Sequence, residues 1–186
     1  MTPGSWSPSA PAGKLTRGDR LAGALLGQAL GDALGFVVEA EPPVAAAAYV
    51  REFLQTDRAG ERHRPSFPFG QYTDDTQLAR ELLLSVREAG GWSPSAFAGR
   101  VAALFQDGRD VGAGPGTRGA AERLLAGASW RESGAVAPYA GNGSAMRVAP
   151  LGVLFAEDAV GLRLAAGEQS RITHRDPRCA AGAVAV

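Results

Sequence analysis

The segment Gly70-Gln71-Tyr72-Thr73-Asp74-Asp75-Thr76 concentrates hydroxyl and carboxylate oxygens within a few residues. Two readings fit it. Thr and Asp suit a helix start, where their oxygens accept from free backbone N–H groups and their charge complements the positive end. Alternatively, two adjacent carboxylates that repel each other, beside a hydroxyl, form an all-oxygen donor set suited to Mg2+ or Mn2+. At a helix start, Thr73, Asp74 and Asp75 would project towards the same end, so three oxygens could converge.

Further acids lie upstream, in Gly31-Asp32-Ala33-Leu34-Gly35 and in Phe36-Val37-Val38-Glu39. Asp32 interrupts an apolar helix end, so it must be hydrogen-bonded, tying down a neighbouring backbone or facing a polar cavity. Glu39 is either a solvated side chain or, if apolar neighbours raise its pKa, a group for acid–base work. Downstream, Gly141-Asn142-Gly143-Ser144 precedes an apolar stretch with Met146, Val148 and Leu151. Glycines let backbone N–H groups approach a ligand, and a helix start attracts phosphate, although such turns are common. Arg147 suits a structural ion pair. His174, in Ile172-Thr173-His174-Arg175-Asp176, reads as a local hydrogen-bonding group at a helix start. His63 sits in a Pro- and Arg-rich loop and reads as solvated. Ser144 has no nearby His and Asp to activate it, which argues against a serine hydrolase. Cys179 lies in an Ala-rich segment and reads as packed.

The elements that must position these groups are helical. Thr16 and Asp19 mark a helix start, and Leu21, Leu25, Ala29 and Ala33, flanked by Leu26, Leu30 and Leu34, predict a mostly buried helix to about Gly35. Residues 41–70 carry four prolines and predict loop, with at most a short helix at the alanine run. A second helix is expected from Thr73 to Gly90-Gly91, and a third from Ser93-Pro94 through Phe105. Residues 107–116 read as loop, and Thr117 as the cap of a fourth helix. A fifth apolar stretch runs from Asn142 to about Phe155. Asp158 and Thr173 open two more, the last still apolar at Val186 with no cap.

Leu and Ala dominate while β-branched and aromatic residues are scarce, so the fold class is all-α. The 186 residues suffice for one domain with a hydrophobic core. Lys plus Arg, 19, equals Asp plus Glu, 19, which gives no broad attraction to nucleic acid or an anionic membrane. The single cysteine excludes an internal disulfide framework. No run of ~18 uninterrupted apolar residues predicts a membrane span. Residues 1–14 read as a disordered leader rich in Pro, Ser, Gly and Ala, and the chain as cytoplasmic.

In this order the blocks resemble the ADP-ribosylglycohydrolase family. Its opening pattern is matched by Gly23-Ala24-Leu25-Leu26-Gly27, Gly31-Asp32-Ala33-Leu34-Gly35 and Glu39, and its metal motif by Tyr72-Thr73-Asp74-Asp75-Thr76. The third block is Gly141-Asn142-Gly143-Ser144-Ala145-Met146-Arg147-Val148-Ala149-Pro150, and the fourth Thr173-His174. The resemblance covers residues 15–186 and implies the N-terminal part of one orthogonal all-α bundle whose cleft holds two Mg2+ or Mn2+ ions. By it, Thr73, Asp74 and Asp75 are metal ligands, and Glu39 is the catalytic group handling protons or positioning water. Asn142, Gly143, Ser144 and His174 then hold ADP-ribose. The implied reaction is hydrolysis of the glycosidic bond between ADP-ribose and a protein or small acceptor, with nucleic acid entering only as a modified substrate.

One departure stands out. The family's second metal motif, of Asp-x-Asp-Thr type, is absent, and no other acidic pair with a hydroxyl neighbour follows Asp75. With the uncapped end, this leads to the expectation of a truncated domain. The alternative functions are a catalytically inactive ADP-ribose or nucleotide-binding module and a ligand-free structural relative.

Overall fold

A computed structural model describes residues 14–186; apart from Lys14, the expected leader lies outside the described residues. Helix α1, Arg17–Gly35, opens with a reciprocal cap. The Thr16 hydroxyl accepts from the Asp19 backbone N–H at 3.1 Å, and the Asp19 carboxylate accepts from the Thr16 N–H at 2.8 Å. A 3-10 turn, Phe36–Val38, carries the chain to Glu39.

The expected burial of α1 is corrected. Ala33 is its one buried residue, and Leu26 and Leu30 are 69% and 62% exposed. The helix is apolar all round, so its hydrophobicity alone does not reveal which side packs. By length and composition the segment Arg17–Val38 could also cross a membrane, which counting uninterrupted apolar residues does not anticipate. Here its polar residues dock it. Gln28 donates to the backbone oxygens of Asp75 and Met146, and Asp32 binds the start of the third helix.

Residues 41–70 are more helical than their prolines suggest. They hold α2, Pro43–Tyr49, a π-turn at Val50–Leu54 and a 3-10 turn at Ala59–Glu61. The next helices follow the expected pattern. α3, Asp74–Ala89, is capped by Thr73 and stopped by Gly90 at φ 71°, and α4, Pro94–Gln106, is capped by Ser93. α5, Pro115–Leu125, starts earlier than expected, behind Gly114, so Thr117 is buried within its first turn instead of capping it.

The predicted helix from Asn142 is replaced by turns, and only Ala149–Leu154 forms α6. Asp158 caps α7, Ala159–Thr173, as expected. The last helix, α8, Pro177–Ala185, is capped by Asp176 and not by Thr173. His174 therefore sits between two helices, paired with Ala135 in a single parallel bridge.

No strand occurs among the described residues, so the fold is all-α. Leu78, Leu82, Phe97, Val101, Leu151 and Ile172 form its dry centre. They join α3, α4, α6 and α7.

Candidate functional site

The site is organised around Asp32. Its half-buried carboxylate accepts the backbone N–H and hydroxyl of Thr73, both at 2.9 Å, and those of Thr76 at 3.2 and 2.7 Å. The two N–H groups are free because they lie at the start of α3, where the backbone has no intrahelical acceptor. The end of α1 thus fixes the start of α3, and Asp32 takes the tying role that its apolar setting requires.

Asp74 and Asp75 follow on the first turn of α3. The Asp74 N–H donates to the Val111 oxygen at 2.7 Å, and Gln77 clamps the same loop through Arg109 and Val111. Gly112, at φ +80°, brings backbone to the Asp74 carboxylate in a left-handed conformation that suits glycine. Burial, then the charge of Asp75, push the Asp74 carboxyl up to about 7. Burial, then the charges of Asp32 and Glu39, push Asp75 up to about 6. No salt bridge engages either carboxylate among the described residues. The charge of Arg147 acts on Asp74 without forming a salt bridge, so two carboxylates held together remain a site whose repulsion a divalent cation would relieve. With the Thr73 hydroxyl, the donor set is all oxygen. It is incomplete by itself: no group of three or more His, Cys, Asp or Glu is placed to hold a metal among the described residues.

The glycine turn forms the opposite wall. Asn142 accepts from the backbone N–H groups of Ala145 and Met146 at 2.8 and 3.1 Å, which curls the turn. Ser144 lies behind it, fully buried, its hydroxyl donating to the Cys179 oxygen at 2.9 Å. Of the three residues of this turn expected to hold ligand, Asn142 and Gly143 reach the cavity wall and the Ser144 hydroxyl does not. Cys179 also donates its thiol to the Gly141 oxygen, and burial raises its pKa, in keeping with a packed side chain.

Glu39 stands at the rim. Its carboxylate accepts from Arg64 at 2.7 Å and is mostly exposed, so it lies in an ion pair and not among apolar neighbours. His174 is 3% exposed, with Tyr139 tilted beside it at 5.8 Å between ring centroids. Burial and the charge of Arg147 lower its pKa to about 4, so it is neutral near pH 7.

Glu39, Asp74, Asp75, Asn142, Gly143 and His174 line one cavity of about 180 Å³. An adjoining hollow of about 360 Å³ shares Glu39, Asp75 and Met146 and is completed by Gln28, Asp32 and Thr73. Gly116, Thr117 and Tyr139 also face the first cavity, although neither spacing nor periodicity marks them. The one available signal was the alternation Gly112, Gly114, Gly116, which reads simply as loop. Gly116 donates its N–H to the Tyr139 hydroxyl at 3.0 Å, and a Cβ there would lie 2.5 Å from the Tyr139 ring.

A family model described as ADP-ribosylglycohydrolase matches residues 13–186. An uncharacterized protein of Archaeoglobus fulgidus is 32% identical over 165 residues, covering 87% of this chain and 52% of the relative. The ADP-ribosyl-[dinitrogen reductase] glycohydrolase of Rhodospirillum rubrum is 33% identical over 164 residues, covering 86% and 52%. The chain spans about half the length of the curated relatives it matches.

Proposed function

The chain belongs to the ADP-ribosylglycohydrolase family, and we propose that it carries the nucleotide-side half of a divalent-cation-dependent site that hydrolyses the glycosidic bond between ADP-ribose and a modified protein. One observation supports this reading most directly. Residues as distant in sequence as Glu39, Asp74, Asn142 and His174 line a single cavity.

Asp74 and Asp75, with the Thr73 hydroxyl, would hold Mg2+ or Mn2+, and bound cation would supply charge to orient ribose hydroxyls and polarise water. The remaining roles fall to the chain's own groups. Asp32 keeps Thr73 and the carboxylates in register. Asn142 and Gly143 offer backbone to the ribose and phosphates, and the neutral imidazole of His174 offers a hydrogen bond without placing a second cation there. Glu39, at the rim beside Asp75, would accept a proton from the attacking water as positive charge develops on the ribose. A protein acceptor is the substrate class suggested by the name of the Rhodospirillum rubrum relative. The chain is proposed to act in the cytoplasm.

A second reading, an ADP-ribose-binding module without turnover, is favoured by the incomplete cation ligand set. The experiment that separates them is release of ADP-ribose from an ADP-ribosylated protein with excess Mg2+ and with chelator, alongside calorimetric titration of ADP-ribose. Mg2+-dependent release supports hydrolysis. Binding without release supports the module, and neither overturns both.

A further inference from the structure

Arg147 is fully buried and makes no salt bridge among the described residues. Its Nε donates to Gln169 Oε1 at 2.7 Å, and its Nη2 donates to the Gln169 oxygen and to Thr173 Oγ1, each at 2.8 Å. A guanidinium has only donors, so in the last of these Thr173 must be the acceptor. Thr173 is itself fully buried, and its hydroxyl lies 2.8 Å from His174 Nδ1. No other acceptor lies within reach of that hydroxyl among the described residues. If Nδ1 carried the proton, Thr173 would accept twice and its own hydroxyl hydrogen would be buried with no acceptor, an unmade bond out of reach of water.

We propose that Arg147 and Thr173 are positioning residues that lock His174 as its Nε2–H tautomer, so that a neutral imidazole donor faces the cavity. Both ends of the relay point this way. At one end, the fixed guanidinium turns the Thr173 lone pair inward and its hydrogen towards Nδ1. At the other, Nε2 is framed by backbone, since a Cβ on Gly116 or on Gly141 would each lie 2.9 Å from it. It makes no hydrogen bond to protein among the described residues and borders the cavity. An Nε2–H there must find its acceptor in a ligand or solvent, and phosphate or ribose oxygens supply one. A lone-pair nitrogen would instead repel them. The low pKa of His174 keeps the ring in its singly protonated form, in which the tautomer matters. The identity of that acceptor rests on the function proposed above; the tautomer itself does not.

The test is long-range 1H–15N correlation spectroscopy of the imidazoles in the uniformly 15N-labelled chain near pH 7. The exposed His63 is assigned by His63→Gln. The expected spectrum of His174 has Nδ1 unprotonated and Nε2 protonated. Thr173→Ser keeps the hydroxyl and should preserve that pattern. Thr173→Val removes the donor, should shift His174 towards Nδ1–H or a mixture, and should weaken ADP-ribose binding by about tenfold, the scale of one lost hydrogen bond. A merely structural Thr173 would lower the melting temperature in Thr173→Val and leave the tautomer alone. Nδ1–H in the wild-type chain, or an unchanged Nε2–H in Thr173→Val, overturns the proposal. If Thr173→Val does not fold, the wild-type spectrum and that of Thr173→Ser still decide. Wild-type chain that shows Nε2–H yet binds no ADP-ribose would sink the functional reading and leave the relay standing.

Discussion

The carboxylate of Asp32 receives both the backbone N–H and the hydroxyl of Thr73, at 2.9 Å each. Thr76 repeats the pairing one turn on, so a single acid serves four donors at the start of α3. Asn in its place has one oxygen for these donors and turns an amide N–H2 towards the rest. Asp32→Asn should therefore destabilise the chain by roughly 2–3 kcal/mol, the scale of lost bonds to a charged acceptor. Urea unfolding measures it. A change within ~0.5 kcal/mol, ordinary for surface substitutions, would show that Asp32 does not hold α3.

The carboxylates above it carry a pH signature whose sign is opposite to that of a salt-bridged acid. Asp74, near 7, and Asp75, near 6, both hold protons in the folded state at pH values where the unfolded chain, near ~3.9, has released them. The folded state thus binds more protons between ~4 and ~7, and stability falls as pH rises through that window. His174 acts the other way. Its folded pKa of about 4 lies below its unfolded value, so its contribution is lost as pH falls. Two acids outweigh one histidine, and the chelator-treated chain should lose on the order of 1–3 kcal/mol from about pH 4.5 to pH 7.5, discounted for the partial exposure of Asp75. Asp74→Asn leaves Asp75 and His174 nearly balanced and should flatten the profile. Excess Mg2+ should restore wild-type stability at pH 7.5 and do little for Asp74→Asn. Parallel profiles for the two proteins would remove the basis for a cation at this pair.

Much of this was legible because it is local. Caps such as Thr16, Thr73, Ser93 and Asp158 act within three residues of themselves, and contiguous motifs led to Asp74, Asp75, Asn142, Gly143 and His174. What stayed hidden depends on partners far along the chain. Arg64 is 25 residues from the Glu39 it pairs with, and Cys179 is 35 from Ser144. Nothing in the periodicity of α1 tells which of its apolar sides packs. The run from Asn142 is apolar enough for a helix, yet Gly143 and Pro150 delay it to Ala149, because the turn must curl around the cavity.

Gly116 belongs to a run of glycines that reads simply as loop, and its backbone leaves no room. A Cβ would lie 2.5 Å from the Tyr139 ring and 2.9 Å from His174 Nε2, two rings that cannot give way without moving the cavity wall. Gly116→Ala should lower stability by about 1–3 kcal/mol, as overpacking does. It should also weaken ADP-ribose binding by at least about tenfold if His174 is displaced by one hydrogen-bond length. Gly99→Ala in α4 is the control, since nothing lies within 4 Å of its added Cβ. That variant should gain up to about 1 kcal/mol from better helix propensity and bind normally. Calorimetry and thermal melts of both variants check it. Normal ADP-ribose binding by a folded Gly116→Ala would mean that the ligand does not use this wall.

Glu39 offers the sharpest division between structure and chemistry. Its ion pair with Arg64 is exposed, so breaking it should change stability by less than ~1 kcal/mol. Glu39→Gln keeps the shape and a hydrogen-bonding oxygen for Arg64 but cannot take a proton. If Glu39 is the base for the attacking water, hydrolysis of an ADP-ribosylated protein should fall by about 10²–10⁴, the range of general acid–base catalysis. Binding of ADP-ribose should stay within a few-fold, because Asn142, Gly143 and His174 are untouched. Arg64→Ala separates two meanings of the pair. Arg64→Ala also removes a hydrogen bond to the Phe36 oxygen and the stacking on the Phe36 ring, so the melting temperature should fall modestly under either meaning; turnover falls well beyond that only if Arg64 positions the carboxylate, and holds if it merely neutralises a surface acid. Stopped assays with Mg2+ present, read against the melting temperature of each variant, give both quantities. Turnover of Glu39→Gln within a few-fold of wild type would make Glu39 a rim residue and move the search for the proton acceptor to Asp75 beside it.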